Sequence, residues 1–347
     1  MSRLRSFNIE YANFLCHFGE QVLLDRYSDI FYPAITSDEQ RIYGDTSFIF
    51  NNIKHIRVEA NDSSEAEYFL YGKIIKDFVY KRDQLLDHEN NELKLEHGEL
   101  RDSPSSTFIL SLKDHRLYFI REFQLGPTLE HFKSLVETLI KKHVNQIIDG
   151  MYKDKKEMRR LNGGTSRAVS KSDLKISYPI PDIKIIKLSS PEGIEEFIKS
   201  MKTVNSFSLT INKTNHESDL STLFKVLRDQ NKEMGAGSSN KVTYTKGKQS
   251  LNHDKVTELA QAASHDSNVN FVVKGIGIDG SPLNGTENEF TAKMPIAEIE
   301  KTPELMTLKA YKSFWKLISD GIVKQPTITN ISSVREKIKK IIEFLEP

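Results

Sequence analysis

The chain has 347 residues, a length that favours two domains and allows a sizeable hydrophobic core. Hydrophobic residues make up 38% and charged residues 28% of the chain, which is typical of globular proteins and excludes a largely disordered one. The 49 basic and 48 acidic side chains leave a formal net charge of +1. Any attraction to a polyanion must therefore come from local clusters of charge.

A single cysteine, Cys16, excludes an intramolecular disulfide framework and a cysteine-rich zinc site. Its apolar neighbours Leu15 and Phe18 do not stabilise a thiolate, so we predict a buried structural cysteine and not a nucleophile. Polar residues interrupt the segment that follows the basic start, and no run of about 18 apolar residues occurs. We therefore expect a cytoplasmic protein without a membrane span.

Alternating apolar and polar residues predict an antiparallel sheet in the first half of the chain. The predicted strands are Ser6–Phe14, Ser47–Glu59, Glu67–Tyr80, Thr107–Leu112 and Arg116–Phe123. Apolar residues spaced three or four apart between Leu129 and Ile140 predict a helix that packs on one face of this sheet, with Thr128 as its N-cap.

The second half predicts shorter elements in alternation, which suggests a small split βαβ-like sheet with helices on one side. The predicted strands are Ile183–Leu188, Ser206–Ile211, Val242–Tyr244 and Asn270–Ile278. The predicted helices are Pro191–Met201, Leu220–Met234, Asp254–Ser264, Glu304–Ser319 and Ser333–Leu345. The last helix carries an apolar stripe through Val334, Ile338 and Ile342, which predicts packing against the second domain or in a homodimer.

The fold class we predict is α+β with two domains. Residues 1–148 form the antiparallel sheet with its packing helix, and residues 179–347 form the second α+β domain with two terminal helices. Residues 149–178 are rich in Lys, Arg and Gly, with few large apolar residues, and predict a basic linker.

The stretch from Gly275 to Gly280 has the spacing of a dinucleotide-binding fingerprint and follows a predicted strand. In that fingerprint the last glycine opens a helix whose amides bind the pyrophosphate, whereas Ser281 and Pro282 cannot start a helix of useful length. The pair Asp279-Gly280 favours a hairpin turn. We therefore predict a hairpin here and no cofactor.

Residues 83–105 predict a solvated hairpin arm or loop. This stretch has many possible metal ligands: Asp83, Asp87, His88, Glu89, Glu92, Glu96, His97, Glu99 and Asp102. Metal sites require ligands held in a fixed geometry, and only scattered leucines anchor this segment. A charged arm is therefore the favoured interpretation, and a metal-dependent nuclease site is the alternative.

Two clusters of basic residues lie in segments rich in Gly, Ser, Asn or Thr. The first contains Lys153, Lys155, Lys156, Arg159, Arg160, Arg167, Lys171 and Lys175, and the second contains Lys225, Arg228, Lys232, Lys241, Lys246 and Lys248. Release of counterions favours such clusters on DNA or RNA without sequence readout. An ordinary solvated linker and a charged helix face are the alternative.

The segment from Arg121 to Thr128, which leads from a strand into a helix, and the segment from Lys274 to Pro295, which precedes the terminal helices, resemble the phage lambda exclusion proteins of the RexA type. They are also similar to bacterial defence-island proteins of related layout. This resemblance implies a dimeric DNA-binding protein with no established catalytic residues that acts in phage exclusion. It transfers no functional residue to a position of this chain.

We therefore expect a non-catalytic protein that binds nucleic acid, DNA ahead of RNA, in anti-phage defence or phage exclusion. The two basic clusters are its predicted binding surface, and we expect no catalytic residue, metal or cofactor. A metal-dependent nuclease or ribonuclease toxin is one alternative. A protein-binding adaptor or inhibitor, with a defence-system protein as its partner, is the other.

Overall fold

The computed structural model describes residues 7–59, 66–163, 168–214, 222–235, 237, 239–266, 268–287, 289–325 and 328–345. These residues form two antiparallel sheets with helices packed against them, which confirms the α+β class.

The strands are β1 (Phe7–Phe18), β2 (Gln21–Val22), β3 (Arg41–Tyr43), β4 (Thr46–Glu59), β5 (Ala66–Asp87), β6 (Glu92–Asp102), β7 (Ser105–Ser111), β8 (Arg116–Arg121), β9 (Asp182–Lys187), β10 (Met201–Asn212), β11 (Ser239–Thr245), β12 (Val269–Gly277), β13 (Pro282–Thr286) and β14 (Lys293–Ile296). The helices are α1 (Tyr32–Ile35), α2 (Leu129–Leu161), α3 (Lys171–Ser177), α4 (Pro191–Lys199), α5 (Thr222–Glu233), α6 (His253–Asp266), α7 (Pro303–Ser319) and α8 (Ile331–Leu345). A 3₁₀ turn, Leu23–Arg26, and a π-helical turn, Tyr27–Phe31, precede α1.

The first sheet has the strand order β14-β1-β8-β7-β5-β4-β3. Alternate residues of β1 face opposite sides, so that Phe14 packs in a core with α2 and α8 while Tyr11 packs in a second core with Phe314 of α7. Helices thus cover both faces, and our expectation of one covered face was wrong. The continuous apolar runs of β7 and β8, which are almost wholly buried, are typical of strands covered on both sides.

The second sheet has the strand order β11-β10-β12-β13. Its core lies on one face, where Phe207 and Phe271 pack with Ile194 of α4, Phe224 of α5 and Ala260 of α6. The turn after β12 is the hairpin predicted for the glycine-rich stretch, because β12 pairs with β13 directly beyond it.

The segments after residue 148 differ from the predicted division. Helix α2 continues to Leu161 through the predicted linker, because Lys, Arg, Glu and Met are good helix formers. Strands β9 and β14 both pair with β1, so the second half of the chain contributes to the first sheet. The apolar stripe of α8 packs through Val334, Ile338 and Ile341 in a core of the first sheet. A contact within the chain therefore accounts for the stripe.

A polar junction holds the second sheet on the first. The side-chain amide of Asn13 in β1 donates to Asn268 Oδ1 at 2.6 Å, and both residues are buried. Beside it, the Arg228 guanidinium of α5 lies 3.2 Å from the carboxylate of Asp266 at the end of α6. Because buried polar groups are costly without partners, the contact between Asn13 and Asn268 fixes how the two sheets meet.

Two local predictions are confirmed. The hydroxyl of Thr128 accepts from the backbone N–H of His131 and begins α2 as an N-cap. Cys16 is completely buried among core residues of β1, and burial raises the pKa of its thiol, which keeps it protonated.

Candidate nucleic-acid interface

The residues of β10 alternate between the core and the opposite face of the second sheet. Phe207, Leu209 and Ile211 are buried against the helices. Their neighbours Ser208 and Thr210 therefore point to the other side, because successive side chains of a strand alternate. Among the described residues, no helix of the second core packs on this other side, which is called the open face below.

The strand register completes the open face. Lys241 of β11 lies opposite Thr210, and Thr243 lies opposite Ser208 with their hydroxyl oxygens 3.0 Å apart. Lys274 of β12 pairs with Ser206 on one side and with Asn284 of β13 on the other. Directly opposed residues share a face in antiparallel pairs, so these side chains point the same way.

The acidic group seen at the open face comes from outside its strands: the carboxylate of Glu287, directly after β13, accepts from the side-chain amide of Asn270, which lies opposite Thr210. Strands β10, β11, β12 and β13 contain no Asp or Glu. Their outward polar groups are hydroxyls, amides and ammonium groups, with Val272 and Ile276 as apolar members. The one aromatic residue of β11, Tyr244, pairs with the inward Phe207 and lies on the core side. The face can therefore donate hydrogen bonds to an anion, but it offers no aromatic platform for stacking bases.

The exposed lysines of this region include Lys241 and Lys274 on the open face, and Lys246 and Lys248 directly after β11. Within the described residues, none of the four forms an ion pair with a carboxylate. The backbone N–H of Lys246 donates to Asn205, so β11 is still held along β10 there. An unpaired ammonium beside hydroxyl donors is suited to phosphate oxygens.

The other residues of the second predicted cluster belong to α5, on the core side of the sheet. Lys225 and Lys232 are exposed, whereas the Arg228 side chain is only 14% exposed. Arg228 donates to the carbonyl of Asn212 at 2.8 Å and pairs with the buried Asp266. Its guanidinium thus holds α5 to β10 and α6, and we leave Arg228 out of the ligand surface.

The first predicted cluster is divided by the structure. Lys153, Lys155, Lys156, Arg159 and Arg160 all lie on the last, exposed turns of α2. Asp154 and Glu157 lie on the same turns. Lys171 of α3 pairs with Asp149 at 2.6 Å, and Lys175 is exposed on the same helix. Arg167 lies outside the described residues.

Residues 78–102 form a two-stranded ribbon, called the arm below, in which β5 pairs with β6 alone. The predicted hairpin is thus confirmed. The arm has seven carboxylates (Asp83, Asp87, Glu89, Glu92, Glu96, Glu99 and Asp102) against four basic residues (Lys81, Arg82, Lys94 and Arg101). Several are paired within it: Lys94 contacts Asp87 and Arg82 contacts Glu96. No group of three potential metal ligands occurs among the described residues.

A cleft of about 470 Å³ lies between α8 and the start of β5. Its basic side chains already have partners: Lys113 pairs with Glu67 at 2.7 Å, and Arg57 and Lys339 each lie 3.8 Å from a nearby carboxylate. Arg335 also has an interaction partner. The cleft therefore offers no unpaired cation to an anionic ligand.

The segment from Arg121 to Thr128 has a structural role. The buried Glu122 accepts from the Thr107 hydroxyl at 2.5 Å and lies 3.1 Å from the Lys73 ammonium, so it ties β8 to β7 and β5. Arg121 donates through Nε to the carbonyl of Gly126 at 3.1 Å. A Cβ atom on Gly126 would lie 2.8 Å from the Ser105 carbonyl oxygen, so glycine is needed for this close approach.

No protein-family model matches the chain, and no curated protein matches it. None of the helices in the described part of the chain has the length and apolar character that a membrane crossing requires. The function is therefore inferred from the chain's own residues.

The sequence prediction missed Lys274 and the hydroxyl residues of the open face. A usable signal was present, because Phe207, Leu209 and Ile211 were assigned to the core and their polar neighbours must then face away. The absence of Asp and Glu from four neighbouring strands becomes visible only when the strands are paired.

Proposed function

We propose that the second sheet binds the phosphate backbone of a nucleic acid through its open face. The observation that carries this proposal is the acid-free set of four strands with Lys241 and Lys274 among outward hydroxyls. Lys246 and Lys248 extend the positive charge beyond β11. In a chain with 48 acidic residues, such a surface has little repulsion for a polyanion to overcome.

Binding through this face is independent of base sequence. Its short hydroxyl side chains and lysines reach phosphate oxygens, and contacts of this kind carry no direct sequence information. The resemblance to phage-exclusion proteins makes DNA the first ligand to test and RNA the second, with anti-phage defence as the proposed setting.

The test is the affinity of purified protein for labelled duplex DNA of two unrelated sequences, measured by fluorescence anisotropy at about 50 mM salt. Replacing Lys241 and Lys274 together by Glu should weaken binding to both duplexes by roughly a hundredfold, since each lost contact with a phosphate corresponds to about tenfold. The circular dichroism spectrum should not change, because both side chains are exposed.

The matched control reverses two lysines of the same domain on the other side of the sheet, Lys225→Glu with Lys232→Glu. This variant has the same net charge as the first and should keep most of the affinity. Equal losses in both variants would show that net charge alone, and not the open face, governs binding. Absence of binding by the wild type to any DNA or RNA at low salt would overturn the proposal.

The same assay separates the two alternatives when it is run with Mg²⁺ or Mn²⁺ and followed on a denaturing gel. The proposal predicts a shift of the DNA without cleavage. Cleavage that requires the metal would favour a nuclease, and neither binding nor cleavage would favour a protein-binding adaptor.

A further inference from the structure

Strand β11 has one edge without a partner strand. Among the described residues, β11 is the outermost strand of the second sheet and pairs with β10 alone. The backbone N–H of Lys246 donates to the carbonyl of Asn205 in β10. Because the main-chain groups of successive residues point to alternate edges of a strand, those of Lys241, Thr243 and Thr245 point away from β10. They form a row of donors and acceptors to which a further strand can be added.

The strands at the other ends of the two strand orders are protected from such pairing. Strand β13 contains Pro282, β14 contains Pro295, and β3 has only three residues. Prolines and short edge strands are usual means by which natural sheets avoid edge-to-edge contact. Strand β11 has seven residues, with no proline and no Asp or Glu. Of these four end strands, β11 is therefore the one that is open to pairing.

Helix α5 borders this edge on the core side of the sheet. Leu223, Leu227 and Asn231 are spaced four apart and lie along one side of α5. The side-chain amide of Asn240 in β11 donates to Asn231 Oδ1 at 2.5 Å, which places this side of the helix along β11. A short link joins α5 to β11, so the helix runs back along the strand and Leu223 lies toward the end of β11.

The side chains at this border are apolar and partly exposed. Val226 follows Leu223 by three residues and lies next to it on the helix. Val242 and Tyr244 point to the same core side, because they pair with inward residues of β10. Leu223, Val226 and Tyr244 are 39%, 46% and 43% exposed. These four residues are called the apolar margin below. Apolar surface beside an unpaired strand edge favours a partner that brings both a strand and an apolar layer.

A second copy of this chain brings both. When two β11 strands pair antiparallel about a two-fold axis at Thr243, Lys241 lies opposite Thr245 of the partner subunit. The lysines of the two copies are therefore not directly opposed. In the same register Val242 lies opposite Tyr244 of the partner subunit, an aromatic and β-branched pair of the kind that stabilises antiparallel strands. The hydrogen-bonded pairs use the main-chain groups that point away from β10. The edge is thus complementary to itself.

We propose that two copies of this chain form a two-fold dimer through β11. The two second sheets then join into one sheet of eight strands, four from each copy, and the two apolar margins cover each other. A contact of this kind closes on itself and leaves no open end for growth. The dimer goes beyond the proposed function and does not rest on it. It places the two open faces next to each other, so that Lys241 and Lys274 of both copies lie on one side of the joined sheet.

Sedimentation equilibrium without nucleic acid tests the proposal over a range of protein concentrations. The wild type should be a dimer. Val226→Glu with Tyr244→Glu should weaken it by at least about a hundredfold, because the contact would bury unpaired carboxylates from both copies. Ile176→Glu with Ile278→Glu is the matched control, with the same change in charge at side chains that are 82% and 75% exposed elsewhere. The control should remain dimeric, and both variants should keep the circular dichroism of the wild type.

A disulfide test reads the register of the two strands. The single cysteine of the chain, Cys16, is buried and does not interfere. Val242→Cys in one copy and Tyr244→Cys in the other place two sulfur atoms in a directly opposed pair, within reach of a disulfide. Under mild oxidation a mixture of the two variants should give a covalent dimer. Each variant alone should give much less, because identical positions are offset along the strands.

Three results would overturn the dimer: a wild type that stays monomeric at every concentration, a Val226 and Tyr244 variant that remains dimeric, or equal cross-linking in the mixture and in the separate variants. Val226 and Tyr244 lie on the core side, away from the open face, and the dimer is measured without nucleic acid. Failure of the dimer is therefore distinguished from failure of the nucleic-acid proposal.

Discussion

The open face and the arm are both exposed antiparallel β-structure, but their side chains differ in sign and polarity. The open face has no carboxylate on its four strands and carries unpaired lysines among hydroxyls. The arm has an excess of carboxylates and a stripe of exposed leucines. One chain of nearly zero net charge therefore carries a surface suited to a polyanion and another that is acidic and partly apolar.

This difference shows why net charge is uninformative for such a chain. The formal charge of +1 is a sum over surfaces of opposite sign, and a ligand interacts only with the surface within a Debye length, about 8 Å at physiological salt. The difference also shows that a basic side chain contributes to a ligand surface only if it is not already paired within the fold. Arg228 is paired in this way with Asp266.

The largest expected effect is on stability, and it compares a basic side chain that is paired within the fold with an exposed one on the same helix. Arg228→Ala should lower the free energy of unfolding by about 3 kcal/mol, because it removes the guanidinium from the buried carboxylate of Asp266. Urea denaturation measures the change. Lys225→Ala, on the same helix but exposed, should stay within about 0.5 kcal/mol of the wild type. If Arg228→Ala kept wild-type stability and lost DNA affinity, Arg228 would belong to the ligand surface after all.

A smaller effect is expected when the open face receives one negative charge. Thr243→Asp places a carboxylate opposite Ser208, on the strand that carries Lys241. Affinity for duplex DNA should fall about fivefold, which corresponds to roughly 1 kcal/mol for an exposed charge interaction. Thr243→Ser retains the hydroxyl and should bind as the wild type does. Equal affinities for the two variants would mean that DNA does not approach this face.

The smallest effect concerns the charge of the arm at low pH. The Lys94 ammonium beside Asp87 lowers the pKa of that carboxyl from 3.8 to about 2. A lowered pKa means that the stabilising contribution of this pair is present above pH 3.8 and is lost as the pH falls toward 2. Carboxyl NMR should therefore show Asp87 titrating near 2, and Lys94→Ala should move the midpoint toward the ordinary value. A wild-type midpoint near the ordinary value would argue against the pair.

Much of the secondary structure follows from the sequence. The period of apolar residues located both terminal helices and, at least in part, nine of the strands in the described residues, because each buries one regular stripe, but it did not predict β2, β3 or β14. The end of α2 was missed because its Lys, Arg and Gly content suggested a linker, although most of its residues favour helix. The pairing of β9 and β14 with β1 was missed because sheet partners distant in sequence leave no local pattern.

The candidate surfaces were harder to predict. Lys241, Lys246 and Lys248 of the second predicted cluster are exposed, but sequence alone does not show that Arg228 is engaged by Asp266. Lys274 was overlooked because it lies in a strand that, apart from Asn270, is otherwise made of apolar residues and glycines. It joins the open face only through the register that places it opposite Ser206 and Asn284.

The salt dependence of DNA binding tests the central claim, that the open face holds a phosphate backbone, most directly. If Lys241, Lys246, Lys248 and Lys274 each neutralise one phosphate, the slope of log K against log salt should be about −3.6 for the wild type and about −1.8 after Lys241→Glu with Lys274→Glu. Lys155→Glu with Lys156→Glu should leave the wild-type slope unchanged. A slope near zero for the wild type, or a slope that the Lys241 and Lys274 variant leaves unchanged, would contradict the claim.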